Sequence, residues 1–221
     1  MVKERSIETT QGVTGEVTVE IYDKFMRRRR DRGGWIDTKP ILEVGINRGL
    51  ALEIGPGPGY LGLEWLKKTD NTSLQTLEIS SDMIKIAEMN AIDYNFQNRV
   101  KNIHGNALEM PFEDNMFDGV FTNGSLHEWA DPIKVFNEIF RVLKLGGKYC
   151  ISDLRRDINP LIKWFMRSTT KPIEMSDGLI ASINASYTIS ELHKLLQNTK
   201  LKNYKIKKNF IGLIIQGDKI E

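Results

Sequence analysis

The sequence predicts an α/β domain: a mostly parallel sheet, covered by helices on both faces and finished by an antiparallel hairpin. Two observations carry this. Short apolar runs alternate with helix-length segments from about residue 40 to 153, and the last two apolar runs are separated by only Asn209 and Phe210. Parallel strands need long crossovers, usually helical, whereas so short a connection permits only an antiparallel pair.

The elements follow in order. Residues 15–35 read as an N-terminal helix, with Val17, Ile21, Tyr22 and Phe25 on one face and Gly33-Gly34 near its end. Leu50–Ile54 is a first strand running into glycines, Tyr60–Lys68 a helix, and Ser73–Ile79 a second strand. Ser81–Phe96 has Met83, Ile84, Ala87 and Ala91 at helical spacing, and Ser80 or Ser81 is a natural N-cap. Val100–His104 and Phe117–Thr122 are strands three and four. Ile133–Leu143 is a helix opened by Asp131-Pro132, since proline at the first helical position wastes no N–H. Leu145-Gly146-Gly147 turns into a fifth strand, Lys148–Ser152. Residues 155–186 read as an irregular insert, a lid over a pocket. Thr188–Asn198 is a helix with a capping box, Thr188 and Glu191. Tyr204–Lys208 and Ile211–Gln216 form the hairpin. Residues 1–221 are expected to form one domain.

Composition excludes several classes. With 40% apolar and 27% charged residues the chain is neither disordered nor fibrous. No run approaches the roughly 18 apolar residues of a membrane span, and the start, MVKERSIETTQG, lacks the apolar core of a signal peptide. A single cysteine, Cys150, rules out an internal disulfide and sits in an apolar run as a buried thiol. These points predict a cytoplasmic protein. The net charge of +2 is too near neutral for a dedicated nucleic-acid binder. The runs Arg27–Arg30 and Lys205, Lys207, Lys208 read as solvated faces, with anion docking as the alternative.

The strongest local signal is Glu53-Ile54-Gly55-Pro56-Gly57-Pro58-Gly59-Tyr60-Leu61-Gly62. Alternating glycines let the backbone approach a ligand, and the next helix offers free amides. Glu78, at the end of the second strand, is placed to grip two ribose hydroxyls. Gly57-x-Gly59-x-x-Gly62 also satisfies the dinucleotide fingerprint, so a nicotinamide oxidoreductase stays in view. Three features favour S-adenosylmethionine (SAM). Glu53 can organise the loop and the aminoacyl end of a zwitterion, Pro56 and Pro58 remove amides that a pyrophosphate would want, and the terminal hairpin exceeds what a dinucleotide half needs.

At this point the sequence resembles the class I SAM-dependent methyltransferases, in particular the ubiquinone and menaquinone biosynthesis C-methyltransferase group, over roughly residues 40–153. The landmarks are Leu52–Gly59, Leu77–Ser80, Gly105–Phe112, Phe117–Phe121 and Arg141–Gly147. The resemblance implies a Rossmann-like three-layer sandwich whose seven-stranded, mostly parallel sheet ends in an antiparallel hairpin. It further implies SAM as methyl donor, S-adenosylhomocysteine (SAH) as product and a small-molecule acceptor. Gly55, Gly57 and Gly59 would line the methionine part, Glu78 would bind the ribose and Ile79 would pack on the adenine. Asn106 stands where relatives carry an acid; its amide oxygen can accept from the adenine amino group, and Ala107 offers an amide. Asn123 would face the sulfonium, with a turn residue as the alternative, and Tyr22 resembles a tyrosine that closes over SAM, with a place in the core as the alternative.

In-line transfer needs mainly alignment and exclusion of water. If the nucleophile arrives protonated, the expected base is His127, just beyond the fourth strand, with a loop-holding role as the alternative. Glu128 is expected exposed, with an orienting carboxylate as the alternative, and Trp129 in the core, with a ring that shapes the acceptor site or shelters the sulfonium as the alternative. No metal is expected. The resemblance places acceptor specificity in the N-terminal helix and residues 155–186. There Arg155, Arg156 and Asp157 adjoin Trp164, Phe165 and Met166, which suggests an aromatic or amphipathic acceptor carrying a negative group. RNA methylation through Arg27–Arg30 and non-catalytic SAM binding remain rival readings.

Overall fold

The structure is a computed structural model and describes residues 4–6, 15–33 and 36–221. Gly34 and most of the first twelve residues lie outside that set. The helices are α1 (Glu16–Asp31), α2 (Lys39–Glu43), α3 (Tyr60–Leu66), α4 (Ser81–Asp93), α5 (Pro132–Val142), α6 (Pro160–Thr169), α7 (Ile173–Ala185) and α8 (Ile189–Gln197). The strands are β1 (Gly49–Ile54), β2 (Thr72–Glu78), β3 (Val100–His104), β4 (Phe117–Asn123), β5 (Leu143–Leu154), β6 (Asn203–Lys208) and β7 (Gly212–Asp218).

One sheet holds all seven strands in the order β3-β2-β1-β4-β5-β7-β6. β7 runs antiparallel to both neighbours, so the expected Rossmann-like architecture and terminal hairpin are both present. Strand residues alternate between two cores, as a pleated sheet buried on both faces requires. Leu52, Ile54, Val120, Tyr149 and Ile151 join α5 and α8 on one side. Ala51, Phe121 and Cys150 join Trp65 and α2 on the other. Cys150 is buried there, and burial pushes its thiol up to about 12.

The caps fall where the side chains dictated. Ser80 Oγ accepts from Met83 N at 3.3 Å, Asp131 Oδ1 accepts from Lys134 N at 3.0 Å, and Thr188 and Glu191 form the reciprocal box. α4 stops short of Phe96 because Asn95 takes a left-handed φ of 60°. β5 is longer than expected. It reaches back across an irregularity to pair Leu143 with Phe117 and forward to pair Leu154 with Gly212.

Residues 155–186 correct the sequence reading, for they are not an irregular lid. Asn159 caps α6 by accepting from Leu161 N at 2.8 Å, with Pro160 at the first helical position. α6 and α7 bury Ile158, Met166, Leu179 and Ile183 in a small core of their own. Arg155 pairs with Asp157 and Arg156 with Glu191, while Trp164 and Phe165 face outward, 68% and 60% exposed. The mixture that suggested an anionic aromatic acceptor is therefore spent on structure and surface.

The basic runs also have settled places. Arg27 bonds Asp23, Tyr60 and Asn90, Arg29 reaches Thr170, and Arg30 bonds Asp31 and Tyr94. Three of the four arginines thus tie α1 to its neighbours instead of forming a solvated face. Lys205, Lys207 and Lys208 are exposed on the edge strand β6, where charge discourages pairing with another chain.

Candidate functional site

Strand order reverses between β1 and β4, and ligands of open α/β sheets bind at such a switch, beyond the carboxyl ends of the strands. A pocket lies there. Its wall includes Glu53, Gly55, Gly57, Glu78, Ile79, Asn106, Ala107, Asn123 and Tyr22. Nine of the residues singled out in the sequence are thus brought together.

The glycine loop has the shape its composition allows. Gly55 has φ +62°, and a Cβ on it would stand 2.8 Å from Ser125 Cβ. Its amide donates to the Leu77 carbonyl at 2.9 Å, tying the loop to β2. Gly57 has φ +53°, and a Cβ there would point at the Tyr22 ring, 3.6 Å away. Gly59 departs from expectation. It is absent from the pocket wall and serves as the left-handed N-cap of α3, packed near Ala87. Alternation put it one step past the ligand side of the bend.

Glu78 is the best-organised group at the site. Oε2 accepts from Gly57 N at 3.1 Å and Oε1 from Ser80 N at 2.9 Å. Each oxygen keeps a lone pair for another donor, and burial, partly offset by these amides, raises its pKa. Glu53 is different. It is buried among β1 and α3, its Oε2 has no hydrogen-bond partner among the described residues, and desolvation, opposed by the nearby Gly62 amide, pushes its carboxyl up to about 8. Opposite Glu53 stands Gly62, whose missing Cβ would run into that Oε2 and into Leu74. Gly62→Ala is expected to destabilise the fold by about 1–3 kcal/mol through overpacking, read as a fall of several degrees in thermal midpoint. An unchanged midpoint would show that the contact relaxes freely.

Asn123 Oδ1 accepts from Ser152 Oγ at 2.8 Å, so β5 orients that amide. Asn106 Oδ1 already accepts from Leu108 N at 2.9 Å, leaving one lone pair for a ligand. Ser125, Met26, Ile36 and Met83 also line the pocket and were missed, because only tertiary packing delivers them.

His127 is a correction. The 3₁₀ turn Leu126–Glu128 directs its ring inward, where Nδ1 lies 2.9 Å and 3.0 Å from the two oxygens of Asp153. Its backbone amide donates to Asp153 at 2.8 Å, and Arg5 donates to its carbonyl at 2.9 Å. The residue is 4% exposed and absent from the pocket wall. Glu128, expected to be exposed, lines the pocket instead, as does Trp129, which also packs edge-on against Phe136 in the core.

Comparison with known proteins fits this geometry. A family described as a methyltransferase domain matches residues 52–151. The ubiquinone/menaquinone biosynthesis C-methyltransferase of Rickettsia prowazekii is 31% identical over 137 residues, covering 60% of this chain and 55% of that one. A demethylmenaquinone methyltransferase of Listeria monocytogenes is 39% identical over 104 residues, covering 47% and 38%. The chain thus spans about half or less of these relatives' lengths. Among solved structures, a candidate SAM-dependent methyltransferase of Methanococcus maripaludis is 25% identical with a TM-score of 0.75, covering 99% of this chain and 98% of that one. A SAM-dependent methyltransferase of Aquifex aeolicus shares the fold at 17% identity and a TM-score of 0.70, covering 94% and 100%. Five motifs in order, the family match over the sheet's centre and the Rossmann-like fold agree: over residues 52–151 the chain is similar to the SAM-dependent methyltransferases, and it shares their fold.

Proposed function

We propose that the chain transfers a methyl group from SAM to a small molecule bearing a quinone-type ring, at a ring carbon. The observation that carries the donor half is Glu78, whose two oxygens are each fixed by a backbone amide at the lip of a glycine-loop pocket. A carboxylate so held offers two parallel acceptors to a vicinal diol. The acceptor half rests on the names of the ubiquinone, menaquinone and demethylmenaquinone relatives.

The sulfonium of SAM supplies an already activated methyl group, so the protein's task is to bind, orient and keep out water. Glu78 holds the ribose, and Ile79 packs on the adenine beside Asn106 and Ala107. Gly55 and Gly57 open room for the methionyl part, and Glu53 faces its ammonium. Asn123 orients toward the sulfonium, and Tyr22 closes the mouth. The ring carbon of the acceptor in its reduced, quinol form attacks the methyl carbon, the C–S bond breaks, its electron pair stays on sulfur, and the ring proton displaced from that carbon passes out to bulk solvent. His127 is assigned to holding the turn through Asp153, and Glu128 is the ionisable side chain which that turn turns to the pocket.

Calorimetry with SAM, SAH and NAD tests the donor. Binding of the first two and not the third is expected; the reverse would establish an oxidoreductase. Transfer of labelled methyl from SAM to a panel of hydroquinones, naphthoquinols, thiols, amines and RNA tests the acceptor. Label confined to amines, thiols or RNA would overturn the ring-carbon assignment.

A further inference from the structure

Helix α1 forms one wall of the donor pocket through Tyr22 and Met26, and a buried polar knot holds it there. Asp23, next to Tyr22, is 7% exposed. Its Oδ1 accepts from Tyr60 Oη at 2.7 Å and from Asn90 Nδ2 at 3.2 Å. The same Asn90 nitrogen donates to the Pro58 carbonyl at 2.9 Å, in the middle of the glycine loop. One helical turn beyond Asp23, Arg27 donates through Nε to Tyr60 Oη at 3.0 Å and through its terminal nitrogen to Asn90 Oδ1 at 3.3 Å. That nitrogen also lies 3.4 Å from Asp23 Oδ2.

Four side chains from three helices thus form one network, which Asn90 ties to a carbonyl of the loop. Apolar residues would pack a helix seam at less desolvation cost, whereas a satisfied polar network admits one seating. The Tyr60 hydroxyl keeps its proton, pushed up to about 12 by burial and Asp23, and so remains a donor. The Pro58 carbonyl makes the loop's shape part of the network: if the loop shifts, Asn90 must choose between Pro58 and Asp23.

We propose that Asp23, Arg27 and Asn90 are positioning residues that latch α1 over the donor pocket, so that Tyr22 and Met26 close it when the glycine loop holds its ligand-binding shape. The inference rests on the donor reading above. It assigns work to an arginine run that the chemistry itself does not use, and it separates Arg27, which bonds Tyr60 and Asn90, from its neighbour Arg28.

The test combines SAH binding with amide exchange. Asp23→Ala and Arg27→Gln are each expected to weaken SAH about ten-fold through faster dissociation, with Arg28→Gln unchanged. Tyr22→Ala should cost about ten-fold in the wild type and under about two-fold in either latch variant, because a loosened α1 no longer presents the ring. Amides of α1 should exchange faster in the ligand-free variants while those of β1 and β4 do not. Equal Tyr22→Ala penalties in all backgrounds, or α1 exchange that does not change, would overturn the latch. Should Asp23→Ala fail to fold, Arg27→Gln carries the same cycle, its side chain being 47% exposed. A wild type that ignores SAH fails at the donor reading, which the exchange measurement on ligand-free protein keeps distinct from failure of the latch.

Discussion

Glu78→Ala is expected to lower SAM and SAH affinity by about a hundred-fold. Hydrogen bonds to a charged group contribute about 1.5–3 kcal/mol each. Losing two at the lower figure is about 3 kcal/mol, or roughly two powers of ten. The variant also strands the amides of Gly57 and Ser80, which now meet the carboxylate at 3.1 Å and 2.9 Å, so the loop itself loses its reference point. Glu78→Gln keeps one acceptor and should cost about ten-fold. The pH dependence has a definite sign. Burial raises this carboxyl above its ordinary value, and the ligand wants it ionised, so wild-type affinity falls more steeply on acidification than that of the Gln variant, in which Glu53 alone of the two carboxyls still titrates. Calorimetry between pH 5 and 8 reads all three. An Ala variant within three-fold of wild type would remove Glu78 from the ribose.

Glu53→Gln should do the opposite to the empty protein and stabilise it. The folded carboxyl titrates near 8, against 4.5 without the burial. Between those values the native state holds a proton that the unfolded chain has released. The stability this group contributes is therefore complete below about 4.5 and is lost as pH climbs through about 8. A neutral amide of the same shape has nothing to lose. The advantage of Glu53→Gln over wild type should grow by about 2–4 kcal/mol between pH 5 and 8.5, or several degrees in thermal midpoint for a chain of this size. Melts at the two pH values settle it; a difference between variants that stays flat with pH would mean that Glu53 is already ionised. The same shift has a ligand signature. A cationic ammonium beside Glu53 draws off its proton, so wild type at pH 7 should release close to one proton on binding SAM, and the Gln variant none. Buffers of different ionisation enthalpy expose that proton.

The sheet was legible because the strands are bounded by turn residues and, except between β3 and β4 and within the terminal hairpin, separated by helical segments that can cross over. The caps at Ser80, Asp131 and Thr188 are local chemistry and came through for that reason. α6 was not legible. Its start, Asn159-Pro160, is a sound signal, but the outward Leu161, Trp164 and Phe165 blur the apolar stripe that would mark an amphipathic helix. α2, with five residues, is too short to show a period. At the site, the motif residues that follow one another in sequence, Glu53 to Gly57 and Glu78-Ile79, were readable as a unit. The phase of the turn after β4 was not. Whether His127 or Glu128 meets the pocket depends on Asp153, a residue on another strand, and no spacing within Ser125–Trp129 reveals it. Gly59 failed similarly: a left-handed glycine serves equally to make room or to start a helix, and only the neighbouring Ala87 decides.

The position of β7 bears on how the molecule assembles. It follows β6 in the chain yet lies between β6 and β5, so β6 has no backbone partner until β7 has been made. β6 therefore joins the sheet together with β7 or after it, once β5 offers an edge to receive β7. This is a late step of long sequence reach and correspondingly slow. While it waits, β6 is kept in solution by Lys205, Lys207 and Lys208, and nascent chains that stall before β7 leave the flank of β5 unprotected, an open invitation to a second molecule in the same predicament.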